Sequence, residues 1–180
     1  MTRDAKITRF PSALGSGNME HAVPQNRSIQ EDHTVTYKLA TYINFENTAR
    51  QAMEFYQSVL GGKLDISNFS DFGMSQSEAD ANLVMHSQLE TDSGAVIMAS
   101  DTPAHMEVQK HGGFSVALFT DDYEGNKDKF DALAAGGQVL EPLKQAPWGD
   151  YFGMFVDQFG ITWMFNIAGA SQADAQNAAE

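Results

Sequence analysis

One pattern, a short strand followed by an amphipathic helix and two glycines, occurs twice in this chain and limits the fold more than any other feature. The first copy spans Thr41 to Gly62 and reads TYINFENTARQAMEFYQSVLGG. The second copy starts at Phe114, and its glycine Gly136 follows Gly61 by 75 positions. The strands keep the same offset, so the chain is predicted to contain two similar units.

The helix of the first copy is indicated by apolar residues at helical spacing. These residues, which share one helix face, are Ala49, Ala52, Met53, Tyr56, Val59 and Leu60. We expect Asn47 or Thr48 to cap the helix start through a side-chain oxygen, because both residue types favour that position. Gly61 is expected to end the helix with a left-handed backbone.

Three further strands are predicted after each helix. In the first unit they cover residues 63–69, 83–89 and 95–100, and in the second 138–143, 151–156 and 161–167. The second helix is predicted over 123–135. The fold class is therefore α+β, with two βαβββ modules in which a helix covers one face of each four-stranded sheet. Set edge to edge, two such sheets would form a concave trough suited to a ligand.

The single domain is predicted to span residues 34–168, with modules at about 37–101 and 112–167. Residues 1–33 are polar and show neither helical nor strand periodicity, so we expect a flexible arm. Residues 169–180 are rich in alanine and glutamine, and we expect a flexible tail. Open sheet edges invite pairing with another chain, which favours a homodimer.

Composition excludes several function classes. The formal net charge of -13 disfavours binding to nucleic acid or to an anionic membrane surface. The chain has no cysteine, which excludes disulfides, thiolate metal sites and cysteine nucleophiles. No segment approaches the roughly 18–20 apolar residues of a membrane span, and the first residues do not look like a secretory signal. We therefore expect a cytoplasmic protein.

Four separated blocks carry a family resemblance: YINFENTARQAMEFYQSVLGGKL, VMHSQL, VIMASD and WGDYFGMFVDQFGITWMFNI. They resemble the PhnB-like branch of the vicinal oxygen chelate superfamily, which also contains glyoxalase I, extradiol dioxygenases and the bleomycin and fosfomycin resistance proteins. The resemblance covers roughly residues 38–167. It implies a half-barrel of the glyoxalase and bleomycin-resistance type. Some relatives carry a methyltransferase label, but this chain has no glycine loop typical of nucleotide binding.

The metalloenzymes of that superfamily hold a divalent ion with His and Glu side chains from four strands. The resemblance places the four positions at Ala40, Met98, Ser115 and Met164. Alanine offers no donor, and methionine thioethers are too soft for Mg²⁺, Mn²⁺ or Zn²⁺. We therefore predict no metal ligands and no cofactor, with a divalent metal kept as an alternative that these residues do not support.

Strand parity selects the side chains expected to face the trough. They are Tyr42, Asn44, Val96, Met98, Ser100, Ser115, Ala117, Phe119, Thr162, Met164 and Asn166. They are mostly apolar or weakly polar, which suits a pocket for a small organic molecule. The alternative is that they fill a closed core.

His86 is the titratable residue of most interest, because it lies within a predicted strand and shares a face with Gln88. It is a candidate general base or ligand contact, and the alternative is a structural histidine. His105 and His111 are expected to be solvated. The same is expected of the loop acids, which are Glu78, Asp80 and Asp92.

Trp148, Asp150 and Tyr151 surround the last hairpin, where the aromatic rings could close over a ligand and Asp150 could meet a cation. The alternative is a turn anchored by a buried tryptophan. The full set of predicted ligand-binding residues is Tyr42, Asn44, His86, Gln88, Met98, Ser115, Phe119, Trp148, Tyr151 and Met164.

Three functions follow from these observations. The leading hypothesis is metal-independent binding of a small organic molecule in the trough, with weak catalysis through His86. One alternative is a metal-dependent enzyme of glyoxalase, dioxygenase or transferase type with atypical ligands. The other is a resistance protein of the bleomycin-binding type, in which an acidic dimer groove sequesters a cationic drug.

Overall fold

The computed structural model describes residues 39–107 and 110–169. The predicted arm at 1–33 and positions 170–180 of the predicted tail lie outside these ranges. Within them, no helix is long and apolar enough to cross a membrane.

The first module has the predicted βαβββ order. Its elements are β1 (Thr41–Phe45), α1 (Ala49–Leu60), β2 (Lys63–Asn68), β3 (Val84–Glu90) and β4 (Val96–Asp101). The strands form one sheet in the order β1-β4-β3-β2, with β1 parallel to β4 and the other pairs antiparallel. A short 3-10 helix (Phe69–Phe72) follows β2, so Phe69, predicted as the last residue of the strand, lies outside it.

The second module repeats this arrangement. Its elements are β5 (Val116–Thr120), α2 (Tyr123–Ala134), β6 (Gln138–Gln145), β7 (Tyr151–Val156) and β8 (Thr162–Ile167). The sheet order β5-β8-β7-β6 matches the first module strand for strand, and β5 is again parallel to β8. The predicted fold class is confirmed, with two four-stranded mixed sheets and one long helix per module.

The repeated glycines are explained by close backbone approach at the end of each helix. A Cβ atom on Gly62 would lie 2.2 Å from the carbonyl oxygen of Glu90, and one on Gly137 would lie 2.1 Å from that of Val156. Gly61 also has a positive φ of 73°, which side-chain-bearing residues rarely adopt. No other residue fits where each helix end meets its neighbouring strand.

A single hydrophobic core joins the two modules. Each helix packs on its own sheet, and α1 also contacts α2. The largest fully buried side chains come from both modules and include Phe45, Met53, Tyr56, Leu133, Phe155, Trp163 and Phe165. Each such side chain contributes about 1.5–3 kcal/mol when removed from water. The predicted helix stripe is confirmed, since Ala49, Ala52 and Met53 are fully buried.

Within the described ranges no hydrogen-bonded strand pair links the two sheets. The expected edge-to-edge trough is therefore not built by strand pairing inside one chain. The physical reason is the contact between α1 and α2, which joins the modules through their helix-covered sides. The opposite face of each sheet is left uncovered by the other module.

Asp157 connects the modules through a buried hydrogen-bond network. Its carboxylate accepts from the Tyr56 hydroxyl at 2.6 Å and from Trp163 Nε1 at 2.9 Å. The backbone N–H groups of Phe159 and Ile161 also donate to it, each at 2.9 Å. Burial raises the pKa of Tyr56 far above its usual value, and the Asp157 charge raises it further. A buried carboxylate with four donors is fully satisfied, so this network stabilises the contact between modules.

The start of α1 differs from the prediction. Thr48 occupies the N-cap position but makes no side-chain capping bond, and Asn47 has a positive φ of 61°. Asp101 at the end of β4 supplies the acceptor instead, taking the N–H of Ala49 at 2.9 Å. Its second oxygen accepts the N–H of Val84 at 2.9 Å. The expected local cap was wrong because a carboxylate 52 residues away already satisfies the helix start.

Candidate functional site

Tyr42 and His86 meet on the uncovered face of the first sheet. Their rings stack with centroids 5.8 Å apart and planes 27° apart. The Tyr42 hydroxyl and His86 Nδ1 share a hydrogen bond of 3.3 Å. Strand β4 lies between the strands that carry them, and its Met98 is opposite both Tyr42 and Gln88. Four of the predicted site residues are therefore neighbours on one surface.

This cluster combines ring surface with hydrogen-bonding groups. Tyr42 is 46% exposed, and His86 is half-buried. A neutral imidazole donates through one nitrogen and accepts through the other. Among the hydrogen bonds of the described residues, the partner of His86 is Tyr42 and no carboxylate orients the ring. The arrangement suits a hydrogen bond to a bound molecule and stacking against it.

A second polar pair extends the same face toward the ends of β1 and β4. Ser100 donates from its hydroxyl to the Asn44 side-chain oxygen at 3.0 Å. The two residues are opposite each other in the register, as Tyr42 and Met98 are. The predicted parity of Tyr42 and Asn44 is confirmed, since Ile43 and Phe45 lie on the buried face.

The remaining predicted residues belong to the second module. Met164 is opposite Ala117 in the register, and Phe119 is opposite Asn166. Phe119 is 71% exposed, and Ser115 is half-buried just before β5. Among the described residues, no contact joins these side chains to Tyr42 or His86. Five of the ten predicted residues thus share the uncovered face of the first sheet, and the other five belong to the second module.

Trp148 and Tyr151 do not line one common opening. Trp148 is 63% exposed and contacts Phe152 edge-on, with ring centroids 5.8 Å apart. Together with Leu140 and Met154 they line an open hollow of about 680 Å³. Tyr151 packs against Tyr123 of α2, with centroids 4.2 Å apart, and so lies on the helix side of the sheet. The alternative of a turn anchored by a buried tryptophan is wrong, because Trp148 is exposed although the turn forms.

Asp150 has a structural role in the same hairpin. Its carboxylate accepts from the Asn166 side-chain nitrogen at 2.9 Å and from the Gly169 N–H at 3.2 Å. These two bonds lower the pKa of Asp150, with the Asn166 bond the larger cause. The carboxylate is ionised at neutral pH and already holds two donors.

The uncovered faces do not form a closed core within the described chain. Tyr42, Asn44, Ala117 and Phe119 are exposed, and the other parity-selected residues on the strands are half-buried. The alternative that these side chains simply fill the interior does not hold for this chain. They form two accessible surfaces.

The positions inherited from the metalloenzymes do not fit a hard divalent cation. Met98 and Met164 occupy corresponding places in β4 and β8, while Ala40 and Ser115 precede β1 and β5. Thioether sulfur and a methyl group are not ligands for such ions. Across residues 39–107 and 110–169, no group of three or more His, Asp or Glu side chains is placed to hold a metal.

Two residues expected to be solvated are not. Asp80 is only 4% exposed, because its carboxylate turns inward to accept from the Ser77 hydroxyl at 2.8 Å. His111 is half-buried and meets Phe45 edge-on, with centroids 5.5 Å apart. His105 is exposed, as predicted, and so are the acids Glu78 and Asp92.

Sequence reasoning also missed the roles of two buried acids, Asp101 and Asp157. Asp101 ends β4 in the block VIMASD, and Asp157 directly follows β7 in the block FVDQFG. Neither residue stands out by composition. The residue type was the available signal. An acidic residue next to a fully apolar strand is rarely buried without hydrogen-bond donors. Their partners could not be named without the fold.

Comparisons with known proteins agree with this architecture. The profile of the Glyoxalase/Bleomycin resistance protein/Dioxygenase superfamily matches residues 38–165. Protein YjdN of Escherichia coli (strain K12) is 25% identical over 140 residues, covering 72% of this chain and 94% of that protein.

Two solved structures are also similar. Protein PA1353 from Pseudomonas aeruginosa is 34% identical with a TM-score of 0.65, covering 74% of this chain and 99% of that one. A Bacillus cereus protein, described as a putative 3-demethylubiquinone-9 3-methyltransferase and PhnB protein, is 24% identical with a TM-score of 0.60. That match covers 73% of this chain and 100% of the other and shows the shared fold. The chain therefore belongs to the Glyoxalase/Bleomycin resistance protein/Dioxygenase superfamily.

Proposed function

We propose that this protein binds a small organic molecule on the sheet face that carries Tyr42 and His86, and that a second copy of the chain covers this face. The contact between the two rings is the observation that carries the proposal. An exposed phenol stacked on an imidazole offers both a flat apolar surface and hydrogen-bonding atoms. A ligand with a planar or apolar body and one polar group would use both.

The surroundings of the pair support binding more than a purely structural role. The buried face of β1 already supplies the core contacts through Ile43 and Phe45. Tyr42 and His86 therefore add little to the packing of the chain. Met98, between them in the sheet, has a flexible side chain that adapts to the shape of a bound molecule.

The second copy is supported by the apolar surface of the other sheet. Phe119, Leu140 and Trp148 are all exposed on the second module. Monomeric proteins rarely leave large apolar patches in water, and most homo-oligomers pair through a twofold axis. Pairing of two copies would bury this surface and would enclose the Tyr42–His86 face.

The proposal assigns no role to a metal, because the donor set at the inherited positions does not suit one. If the bound molecule exchanges a proton, the imidazole of His86 is the candidate general base on this face. The protein is proposed to act in the cytoplasm, and fractionation of the source cells would check that location.

Native mass spectrometry of the full chain purified from cells tests the proposal. We expect the mass of a dimer with an added small organic molecule and no stoichiometric metal. The variant His86→Ala should lose the added mass, whereas His105→Ala, which removes an exposed histidine outside the Tyr42–His86 ring pair, should keep it. Stoichiometric metal, or an added mass that His86→Ala retains, would contradict the proposal.

A further inference from the structure

A cavity of about 410 Å³ lies at one end of the first sheet. It opens where β1 and β4 end, and it is bounded by the segments that follow β2 and β4. Its apolar wall is formed by Phe69, Met74, Pro103 and Met106. Asp80 and Glu107 add carboxylates to this wall.

Asp80 carries a buried oxygen without a hydrogen-bond partner. Its Oδ2 accepts from the Ser77 hydroxyl, but its Oδ1 has no partner among the described residues. The only other buried side-chain atom of this kind in the described ranges is the Ser75 hydroxyl oxygen, in the same loop. A buried acceptor without a donor is costly, and native proteins rarely leave one.

None of the donor-bearing side chains of the cavity wall donates to Asp80 Oδ1; these side chains are Asn44, Gln76, Ser100, Thr102 and His105. Among the residues that the structure describes, no lysine or arginine lines the cavity. The neighbouring carboxylate of Asp101 is already occupied, since its two oxygens accept the N–H groups of Ala49 and Val84. With a formal net charge of -13, the protein as a whole also favours a cation at this position.

The lining selects an organic cation over a metal ion. Four of its members are apolar side chains, and no cluster of three acid or histidine ligands is found in the described ranges. An ammonium group carries three donors and forms charge-assisted hydrogen bonds with carboxylates. A short apolar chain attached to it would pack against Phe69, Met74 and Met106.

We infer that this cavity binds a small protonated primary amine with an apolar body, whose ammonium group donates to the Asp80 carboxylate. The inference does not depend on the proposed function. The cavity is built within one chain, and it shares only Asn44 and Ser100 with the face described above. A second copy of the chain is not needed to complete it.

Calorimetric titration of the full chain with hexylammonium chloride and with 1-hexanol tests this inference. The two probes have the same apolar body, so the difference between them reports the charged group. We expect the amine to bind at least about tenfold more tightly than the alcohol. The variant Asp80→Asn should remove this preference, while alcohol binding should change little because the apolar wall is intact.

Glu107→Gln is the matched control, because it removes an exposed carboxylate from the same wall. It should change amine affinity less than about threefold. Amide shifts in the wild-type chain provide a readout that does not require the variant to fold, and they should concentrate at Phe69, Asp80 and Met106. Equal affinity for the two probes, no binding of either, a preference that Asp80→Asn retains, or shifts centred on Tyr42 and His86 would overturn the inference.

Discussion

The two modules share a backbone but are stabilised by different polar contacts. Their strand orders match, and Met98 of β4 corresponds to Met164 of β8. The first module starts its helix with Asp101 from β4, whereas the second uses the local N-cap Asp122, which accepts the Gly125 N–H at 2.9 Å. The backbone geometry is thus the same in both modules. The acceptor for the N–H groups at the helix start comes from a distant residue in the first module and from a near one in the second.

The turns between the last two strands show the same divergence. In the first module Thr91 bonds locally, to the Ser93 hydroxyl and the Ala95 N–H. In the second, Asp157 holds its own turn and also reaches Tyr56 in the first module. One turn therefore closes a hairpin, and the other also joins the modules.

The uncovered faces differ in chemistry. The first presents the Tyr42–His86 pair with polar neighbours, and the second presents apolar side chains such as Phe119 and Trp148. This difference suggests a division of roles, with ligand contacts on the first sheet and contacts between copies on the second.

The largest expected effect tests the shared backbone. Gly62→Ala and Gly137→Ala place a Cβ atom against a carbonyl oxygen in corresponding positions, so each should lower the free energy of unfolding by about 3 kcal/mol or more. Gly94→Ala, which has a φ of 84° but open space around it, should cost only about 1 kcal/mol. Urea denaturation measures all three. A mild effect at one of the paired glycines would show that the modules are not equivalent there.

The next effect tests the two helix starts. Asp101→Ala leaves two buried N–H groups without acceptors and should cost about 2–4 kcal/mol. Asp122→Ala removes a single exposed capping bond and should cost about 1 kcal/mol. Equal decreases in the free energy of unfolding of the two variants, measured by chemical denaturation, would contradict the distinction between distant and local caps.

A smaller effect tests the link between modules. Tyr56→Phe removes one of four donors to Asp157 and should cost about 1–2 kcal/mol at neutral pH. The pKa of Tyr56 is raised in the folded protein, so its stabilising contribution is present below the unfolded pKa of about 10 and is lost as pH rises above it. The stability difference between wild type and variant should therefore shrink in alkaline solution. Tyr151→Phe, whose hydroxyl has no bond to a described residue, should show neither effect.

The smallest expected effect on stability concerns the proposed binding face. His86→Ala and Tyr42→Phe should each lower the free energy of unfolding by less than about 1 kcal/mol, because both residues lie outside the core. Thermal and urea melts of the ligand-free protein measure this. A loss of several kcal/mol would identify the pair as structural and would weaken the proposed function.

Local patterns were sufficient to predict the elements but not their polar partners. Period-two alternation placed Tyr42 and Asn44 opposite Ile43 and Phe45, because strand parity depends only on neighbouring residues. The contact between Tyr42 and His86 depends on the sheet order β1-β4-β3, which joins residues 44 positions apart.

The errors have the same origin. Asp101 caps a helix 52 positions away, and Asp157 meets Tyr56 across 101 positions, so no local window contains both partners. The prediction for Asp80 failed because residues of a polar loop are expected to be solvated. Only the folded structure shows that this side chain is turned toward the interior. Tyr151 was grouped with Trp148 by proximity in sequence, although strand parity directs it toward α2.

Sedimentation equilibrium of the full chain tests most directly the claim that a second copy covers the two open faces. The account predicts a dimer for the wild type and at least a tenfold weaker dimer for Phe119→Asp, since a charge on that face must be desolvated (a roughly tenfold change is 1.4 kcal/mol). Phe72→Asp adds the same charge to an aromatic residue that is 60% exposed in the 3-10 helix, and it should leave the dimer unchanged. A monomeric wild type, or a Phe119→Asp variant as dimeric as the wild type, would contradict it.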